Sequence, residues 1–396
     1  EMPGVSWSKI LYYLERDIMG YGPIDPIMRD PNIEDISCNG VNKPIYVWHR
    51  KYESLPSNVM FTDAEELNEF IVKLAHKAGK HISTAYPVLD AMLPENHRVA
   101  ATFMEEISRS GSTFTIRKFR EDPITIIDMI NFGTISAEAA AYLWLAMEFK
   151  LPALVIGVTG AGKTTMLNAL ACMFKPTIKI VTIEDTPELR LPLENWVQLT
   201  SRPSYGFGPE RIGEISLFDL VKVSLRYRPD VIMVGEVRGE EAYVLFQAMA
   251  TGHGGMTSLH AENVDAAVKR LTSEPMNIPP SYIPLVKIGI VIRRLTIRKA
   301  GRERVARRVT EVTEILDYDR YATVVKWVPT DDSFIHEWEE SANLRDIALA
   351  MGRSFDEILE ELKRRRDLLL WMAENNIRSY ISVASVIQKY YATGGL

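Results

Sequence analysis

The chain has 396 residues, of which 46% are hydrophobic and 25% are charged. This composition is typical of a globular protein with two or three domains, and it argues against a disordered chain. The net charge of −6 argues against a protein that coats long stretches of nucleic acid. No apolar run approaches the ~18 residues that a membrane-spanning helix requires.

The two cysteines indicate the compartment. Cys38 and Cys172 are far apart in sequence and lie beside apolar residues, so we predict buried free thiols rather than a disulfide. No Cys-x-x-Cys pair suggests a structural zinc site. These features favour the cytoplasm. The chain opens with Glu1-Met2 and has no signal peptide, and we interpret this start as a cloning scar or a truncation that leaves room for an upstream domain.

Residues 1–120 predict a small α/β domain. Its predicted elements are a helix over 7–18, strands within 33–55 with a turn at Asn39-Gly40, a helix over 62–78, and strands over 98–103 and 113–119. The first helix has an apolar face that needs a partner to cover it. Thr62 and Glu65 form a predicted capping box at the start of the second helix.

Residues 121–135 are predicted to be a linker, because Pro123 disfavours helical structure at Asp122. Strands and helices alternate over 136–330, which indicates a mainly parallel sheet with helices on both faces. The predicted elements are helices over 136–149, 217–225, 242–249 and 264–271, and strands over 178–183 and 231–234, with Ser216 and Asn263 as helix caps. Residues 331–396 are predicted to be a C-terminal helical segment, with a capping box at Ser354 and Glu357.

An arginine-rich stretch lies within 289–327, where the pattern is strand-like and Ala300-Gly301 predicts a hairpin turn. Its arginines are Arg293, Arg294, Arg298, Arg302, Arg304, Arg307 and Arg308. A solvated hairpin is the favoured interpretation, since no aromatic residues are interleaved for base stacking. A nucleic-acid or membrane patch stays open as the alternative.

The sequence GVTGAGKTT, Gly157–Thr165, fits the pattern G-x-x-x-x-G-K-[ST] between a short apolar strand and a predicted helix. In this setting glycines let backbone N–H groups turn inward around a polyphosphate, Lys163 reaches the β- and γ-phosphates, and the Thr164 hydroxyl can hold Mg²⁺. The chain is therefore predicted to bind a nucleoside triphosphate. The predicted binding residues are Gly157, Thr159, Gly160, Ala161, Gly162, Lys163, Thr164 and Thr165.

Acidic residues follow two apolar strands. Glu236 ends the strand 231–234 after Gly235, where a carboxylate can activate the attacking water and, with Thr164, contact a metal. Gly235 replaces the first carboxylate of the Asp-Glu pair that many phosphate-loop enzymes have, so metal contact also falls to water and other acids. Glu184 and Asp185 form the second acidic strand end. Each is a solvated turn residue when considered alone, but beside a phosphate loop a site is favoured.

Two histidines, His253 and His260, lie in TGHGGMTSLH. The glycines between them disfavour a helix that would place both histidines on one face, so a two-histidine metal site is not supported. His260 follows a strand-like segment and can reach the γ-phosphate there, and a purely structural role is an equally open interpretation.

These motifs together resemble the type II/IV secretion ATPase superfamily, and most closely its archaeal secretion and archaellum members. GVTGAGKTT looks like the Walker A motif, IEDTPE the Asp box, VGEVRG the Walker B motif and TGHGGMTSLH the His box. GYGPIDPIM, DPNIEDISCNG and FTIRKF resemble the preceding domain of the family. The His box has GHGGM where bacterial pilus motors commonly have GHLV, and the tetracysteine zinc motif of bacterial type II secretion is absent.

The resemblance implies a hexameric, Mg²⁺-dependent ATPase with a RecA-like domain. It implies that the motor drives protein secretion or assembly of a pilus-like or archaellum filament and docks on a polytopic membrane platform protein at the inner face of the membrane. Arginines of the family reach the nucleotide, some across a subunit boundary, and the matching positions here are Arg98, Arg117 and Arg226. The implied catalytic set adds Lys163, Glu184, Asp185, Glu236 and His260.

Two rival interpretations remain. The first is a nucleic-acid translocase or helicase on the same core, which the acidic charge and the absence of an aromatic-basic stripe disfavour. The second is a scaffold that binds ATP without turnover, which Glu236 and the acidic pair Glu184-Asp185 disfavour.

Overall fold

A computed structural model describes residues 4–120, 122–202, 213–299 and 302–394. The chain forms two compact units, Glu1–Glu121 and Asp122–Leu396. Each unit has its own sheet and its own hydrophobic core, so the protein is a mixed α/β protein with two sheets.

The first unit is built on an antiparallel sheet. Among the described residues its six strands lie in the order β3-β2-β1-β6-β5-β4. The elements are α1 (Gly4–Leu14), α2 (Asp25–Arg29), β1 (Ile33–Cys38), β2 (Pro44–His49), β3 (Glu53–Met60), α3 (Ala64–Lys77), β4 (Val88–Met92), β5 (Arg98–Thr102) and β6 (Thr113–Arg117). Leu67, Phe70, Ile71 and Leu74 of α3 are buried in its core. The strand β4 was not predicted from the sequence.

Two helix predictions in this unit can be compared with the structure. The predicted capping box at Thr62 is wrong: Asp63 is the N-cap of α3, and its carboxylate accepts from the Glu65 backbone N–H. A carboxylate next to the helix start satisfies an orphan N–H as well as a threonine hydroxyl does, so the sequence alone did not fix the capping residue. The apolar side chains Trp7 and Leu11 of α1 are more than half exposed.

The second unit is built on a mixed sheet, in which antiparallel strands are added to the parallel strands that the sequence predicts. Within the described residues its nine strands lie in the order β15-β14-β13-β12-β7-β11-β10-β8-β9. Neighbours from β12 to β9 are parallel, whereas β12 to β15 pair antiparallel. The strands are β7 (Ala153–Ile156), β8 (Ile180–Glu184), β9 (Trp196–Thr200), β10 (Val231–Val234), β11 (Gly254–Leu259), β12 (Ile288–Lys299), β13 (Arg302–Asp317), β14 (Arg320–Val328) and β15 (Ser333–His336).

Helices cover both faces of this sheet. They are α4 (Ile126–Asn131), α5 (Ala137–Glu148), α6 (Lys163–Ala171), α7 (Leu217–Ser224), α8 (Glu241–Ala250), α9 (Val264–Thr272), α10 (Ala342–Met351), α11 (Phe355–Glu374) and α12 (Tyr380–Ala392). Successive side chains of a strand point to opposite faces. Accordingly, Ala153 and Val155 of β7 pack with α5 and α6, and Leu154 and Ile156 pack with α8 and α9. The predicted caps at Ser216, Asn263 and Ser354 are confirmed.

The segments on either side of the central sheet join its core. Helix α4 lies inside the stretch 121–135 and buries Ile126, Ile127 and Met129 in the same cluster as α5. The C-terminal helices α10, α11 and α12 bury apolar residues in that cluster too. None of the described helices is both long and apolar enough to cross a membrane.

Buried charges fasten α11 to α5. Arg365 is fully buried, and it bonds to Glu361 with 2.8 Å between Nε and Oε1 and to Glu148 of α5. Lys175, after α6, lies 2.8 Å from the other oxygen of Glu148. The Arg365 guanidinium also stacks over Trp144, 4.9 Å from the ring centroid. This cluster ties the C-terminal helices to the helices that flank the phosphate loop strand.

The arginine-rich hairpin is only partly solvated. β12 and β13 pair from Ile288 and Glu314 to Lys299 and Arg302, and the predicted turn at Ala300-Gly301 lies outside the described residues. Arg308 contradicts the solvated interpretation, since it is 1% exposed and bonds Asp332 at 2.6 Å. Pairing with a carboxylate offsets the cost of burying the charge. Both cysteines are buried free thiols, as predicted.

Candidate active site

The phosphate loop connects β7 to α6, and its glycines are required by local geometry. A Cβ on Gly157 would lie 2.6 Å from the Ile292 carbonyl oxygen of β12. Gly160 and Gly162 adopt φ values of +74° and +105°, which side chains other than glycine rarely tolerate. Ala161 is buried between them. The loop is therefore a tight turn that leaves the first N–H groups of α6 available to an anion.

Lys163 begins α6 and points toward Glu236. Its ammonium lies 3.7 Å from Glu236 Oε1, and its side chain is 11% exposed. Burial lowers the pKa of Lys163, and the Glu236 carboxylate opposes that shift. β10 ends just before Glu236, and β11 lies between β10 and β7, so the parallel sheet brings the two residues to the same edge. The structure thus joins the predicted lysine and the predicted base.

Arg238 is a site residue that the sequence did not reveal. Its Nε lies 3.1 Å from Glu236 Oε2. Glu241, buried at the start of α8, accepts from the backbone N–H groups of Arg238 and Gly239 at 2.6 and 2.8 Å and fixes that loop. The Glu236 carboxylate therefore lies between two cations, Lys163 and Arg238. Arg238 lies in the motif VGEVRG, two residues after Glu236, but the strand-end pattern marks only the carboxylate, so this ion pair was not predicted.

The presence of glycine at position 235 has a steric reason. A Cβ there would lie 3.2 Å from Glu184 Cγ, so a carboxylate at this position would crowd Glu184. Glu184 Oε1 accepts from the Glu188 and Leu189 backbone N–H groups, both at 2.9 Å. Burial raises the pKa of Glu184 to about 7. Its hydrogen bonds hold the loop after β8, and we expect a structural rather than a catalytic role.

The Asp185 side chain has different surroundings from that of Glu184. It is exposed, and its Oδ1 accepts from the Ser201 hydroxyl at 2.7 Å. Its charge contributes to the raised pKa of Arg238, after the larger contribution of Glu236. Asp185 therefore lies in the electrostatic neighbourhood of the Glu236 pair without bonding to it.

His260 lies at the phosphate loop. Its Nε2 accepts from the Thr159 backbone N–H at 3.0 Å and lies 3.1 Å from the Thr159 hydroxyl oxygen. An accepting Nε2 places the proton of a neutral imidazole on Nδ1. The structure thus brings His260 to the loop. His253 is at the other end of β11, where its Nδ1 contacts Thr251 and the Ala248 carbonyl.

Three more arginines surround the loop, each bonded to a backbone carbonyl. Arg270 of α9 donates to His260 at 2.6 Å, Arg293 of β12 to Glu262 at 3.0 Å, and Arg307 of β13 to Gly160 at 3.2 Å. The sequence marked Arg293 and Arg307 only as members of a basic stretch. Their location depends on how β12 and β13 join the sheet beside β7, which no local pattern specifies.

The three arginines suggested by resemblance are Arg98, Arg117 and Arg226. Arg98 and Arg117 belong to the first unit, where they pair with Asp90 at 2.7 Å and Asp35 at 3.1 Å. Arg226 is exposed in a 3₁₀ turn that precedes β10. Its neighbour Tyr227 lies under Lys179, just before β8. Arg226 is therefore at the edge where the parallel strands begin, and the phosphate loop is at the edge where they end.

The donors present fit a magnesium ion. Thr164 lies in the first turn of α6, and Glu236 is beside Lys163 at the sheet edge. Magnesium commonly takes only one or two protein ligands, with phosphate oxygens and water completing its shell. In the part of the chain that the structure describes, no group of three or more His, Cys, Asp or Glu side chains forms an all-protein metal site. A nucleotide-dependent magnesium site is consistent with this donor set.

The fold and the loop define a phosphate-loop α/β protein. The family model described as "Type II/IV secretion system protein" matches residues 19–322, which is most of the chain. The chain belongs to this family.

Several relatives are archaeal. The Methanocaldococcus jannaschii protein MJ0900, described as uncharacterized, is 36% identical over 98% of this chain and 70% of its own length. MJ1287 of the same organism, also uncharacterized, is 42% identical over 67% of this chain and 98% of its own length. The type IV secretion system protein PtlH of Bordetella pertussis is 31% identical over 70% of this chain and 90% of its own length.

Solved structures agree on the fold. The Legionella pneumophila ATPase DotB is 18% identical and matches with a TM-score of 0.52, over 100% of this chain and 98% of that one. The pilus retraction motor PilT, bound to ADP, is 16% identical and matches with a TM-score of 0.52, over 86% of this chain and 92% of that one. At these identities the likeness concerns the fold alone.

Proposed function

We propose that this protein is a Mg²⁺-dependent ATPase motor with a RecA-like domain in the second unit. The observation that supports this most directly is the position of Glu236 3.7 Å from Lys163, at the start of the helix that follows the phosphate loop. Beside a polyphosphate the Glu236 carboxylate is suited to orient the water that attacks the γ-phosphorus.

Each residue has a defined task in this proposal. The N–H groups of the first turn of α6 hold the phosphates, and Lys163 supplies charge to the β- and γ-phosphates. Magnesium, held by Thr164 and the phosphates with Glu236 nearby, would neutralise phosphate charge. Glu236 accepts the proton of the attacking water. His260 positions the loop by accepting from the Thr159 N–H, and Arg270 positions His260 by donating to its carbonyl.

The larger assembly is also a proposal. Members of the family act in secretion systems, and DotB and PilT are described as an ATPase and a pilus retraction motor. We infer a hexameric ring that drives protein secretion or the assembly of a pilus-like or archaellum filament. It would work at the cytoplasmic face of a membrane, docked on a polytopic platform protein. Arg98 and Arg117 would reach a nucleotide, as the resemblance implies.

The arginine-rich hairpin supports this proposal over a nucleic-acid translocase. Arg308 is buried against Asp332, and Arg293 and Arg307 are bonded to backbone carbonyls near the phosphate loop. These three arginines are oriented toward the protein instead of forming a stripe for a nucleic-acid backbone. Hydrolysis that is unchanged by added DNA or RNA is the expected result.

The test uses two substitutions in the full chain. Glu236→Gln keeps size and a hydrogen-bond acceptor but cannot take a proton, so turnover should fall about 10²- to 10⁴-fold with near-wild-type nucleotide affinity. Lys163→Ala should abolish tight binding, because the phosphates lose their point charge. Glu240→Gln is the control, because it removes the same charge from an exposed residue four positions after Glu236.

Calorimetric titration with a non-hydrolysable ATP analogue and a phosphate-release assay measure the two effects. Turnover of Glu236→Gln above about a tenth of the wild-type rate would place the base elsewhere, with Asp185 as the next candidate. Unchanged affinity in Lys163→Ala would refute nucleotide binding by this loop.

A further inference from the structure

The hairpin β12–β13 forms a wall beside the phosphate loop. β12 pairs with β7 only over Ile288–Val291, and then continues to Lys299 past the point where β7 ends. The next residue, Ile292, places its carbonyl oxygen 2.6 Å from where a Cβ on Gly157 would lie. The loop therefore starts in direct contact with the hairpin.

Arg307 of the hairpin contacts the middle of the same loop. Its Nε donates to the Gly160 carbonyl at 3.2 Å, and its Cδ lies 3.3 Å from where a Cβ on Gly162 would be. The side chain is thus laid along the loop while remaining exposed. Arg294 stands directly opposite Arg307 in the strand register, so two like charges face each other beside an anion-binding loop.

The bond from Arg307 acts on a single peptide plane. The carbonyl of Gly160 and the N–H of Ala161 point in opposite directions because the peptide is planar and trans. Arg307 holds the carbonyl, and the Val158 carbonyl accepts from the Ala161 N–H at 3.2 Å. Both ends of this plane are therefore fixed. The turn Val158–Ala161 is held closed, and Gly162 and Lys163 follow in the conformation that directs the N–H groups of the helix start at an anion.

We propose that Arg307 is a positioning residue for the phosphate loop, through which the hairpin β12–β13 sets the affinity for the polyphosphate of the nucleotide. The inference rests on the nucleotide-binding function proposed above. It assigns Arg307 no contact with the reacting atoms. The hairpin thereby sets the fraction of molecules in which the phosphate loop has its anion-binding conformation. Nucleotide binding in turn favours the hairpin position seen here.

The experiment compares Arg307→Ala, Arg307→Lys and the control Arg304→Ala in the full chain. Arg304 lies on the same strand, is exposed, and is an odd number of residues from Arg307, so it is on the opposite face. Affinities for a non-hydrolysable ATP analogue, ADP and inorganic tripolyphosphate are measured by calorimetry, and kcat is measured at saturating ATP.

Arg307→Ala should weaken all three ligands by a similar factor of about three to ten, the effect of losing one hydrogen bond that holds the binding conformation. Its kcat should stay within about twofold, because the hydrogen bond is present before and during the reaction. Arg307→Lys should recover most of the affinity, since an ammonium can also donate to the Gly160 carbonyl. Arg304→Ala should bind as the wild type does.

The outcomes separate this inference from the proposed function. Wild-type affinities in Arg307→Ala, together with lost binding in Lys163→Ala, would overturn the inference and leave the proposed function standing. Unchanged binding in Lys163→Ala would overturn the proposed function itself. A loss for ATP and ADP but not for tripolyphosphate would show that Arg307 contacts the nucleoside, and it would overturn the positioning role. Arg307→Lys as weak as Arg307→Ala would also overturn it.

Discussion

Replacing Glu184 by glutamine should make the protein's stability less dependent on pH. Glu184 is 4% exposed at the end of β8, and burial raises its pKa from 4.5 to about 7. Glutamine keeps an oxygen that can accept from the Glu188 and Leu189 N–H groups but never carries a charge. The substitution therefore removes the titration and keeps the loop contacts.

The sign and size of the effect follow from the raised pKa. A carboxyl group with a higher pKa in the folded state favours folding when protonated, so its contribution is fully present below pH 4.5 and is lost as the pH rises through about 7. The whole contribution is about 3 kcal/mol for a shift of this size. Between pH 6 and pH 8 the wild type should lose about 1 kcal/mol of unfolding free energy through Glu184 alone.

The assay is urea unfolding followed by tryptophan fluorescence at pH 6 and pH 8. The quantity compared is the change in unfolding free energy between the two pH values, in the wild type and in Glu184→Gln, because other titrating groups cancel in that comparison. Glu194→Gln, an exposed residue just before β9, is the control and should retain the wild-type pH dependence. Equal pH dependence in Glu184→Gln and the wild type would refute the reasoning. If Glu184→Gln loses ATP turnover but keeps its stability, Glu184 has a catalytic role.

Two further predictions concern the C-terminal helices and the proposed ring. Arg365→Met should lower the unfolding free energy by about 3 kcal/mol. This is the lower end for breaking a buried ion pair, because Lys175 still partners Glu148. The control Arg364→Met, at an exposed residue, should cost less than about 1 kcal/mol. Denaturant titration of both variants tests this, and equal losses would contradict it. Arg226→Ala and Lys163→Ala should each be inactive but regain ATPase activity when mixed, because Arg226 lies at the sheet edge away from its own loop and would serve a neighbour. An inactive mixture of variants that still co-assemble would count against a shared site.

Local patterns in the sequence were sufficient for the features that depend on neighbouring residues. The phosphate loop can be predicted because its glycines, Lys163 and Thr164 are consecutive and their spacing is fixed by the turn they form. The caps at Ser216 and Ser354 and the strand β10 could also be predicted, since a cap or a short apolar strand involves only a few adjacent residues.

Tertiary structure decided what happens between distant segments. The carboxylates of Glu184 and Glu236 look alike in sequence, as acids that end apolar strands, but one is buried by the loop that follows it and the other stands between Lys163 and Arg238. The arginine-rich hairpin is another example: Arg308 is buried and Arg307 holds the phosphate loop, although the residues are adjacent. These burials and hydrogen bonds depend on how the chain returns on itself, over 24 residues for Arg308 and Asp332 and over 147 for Arg307 and Gly160, and no local pattern of residues encodes which segments will meet.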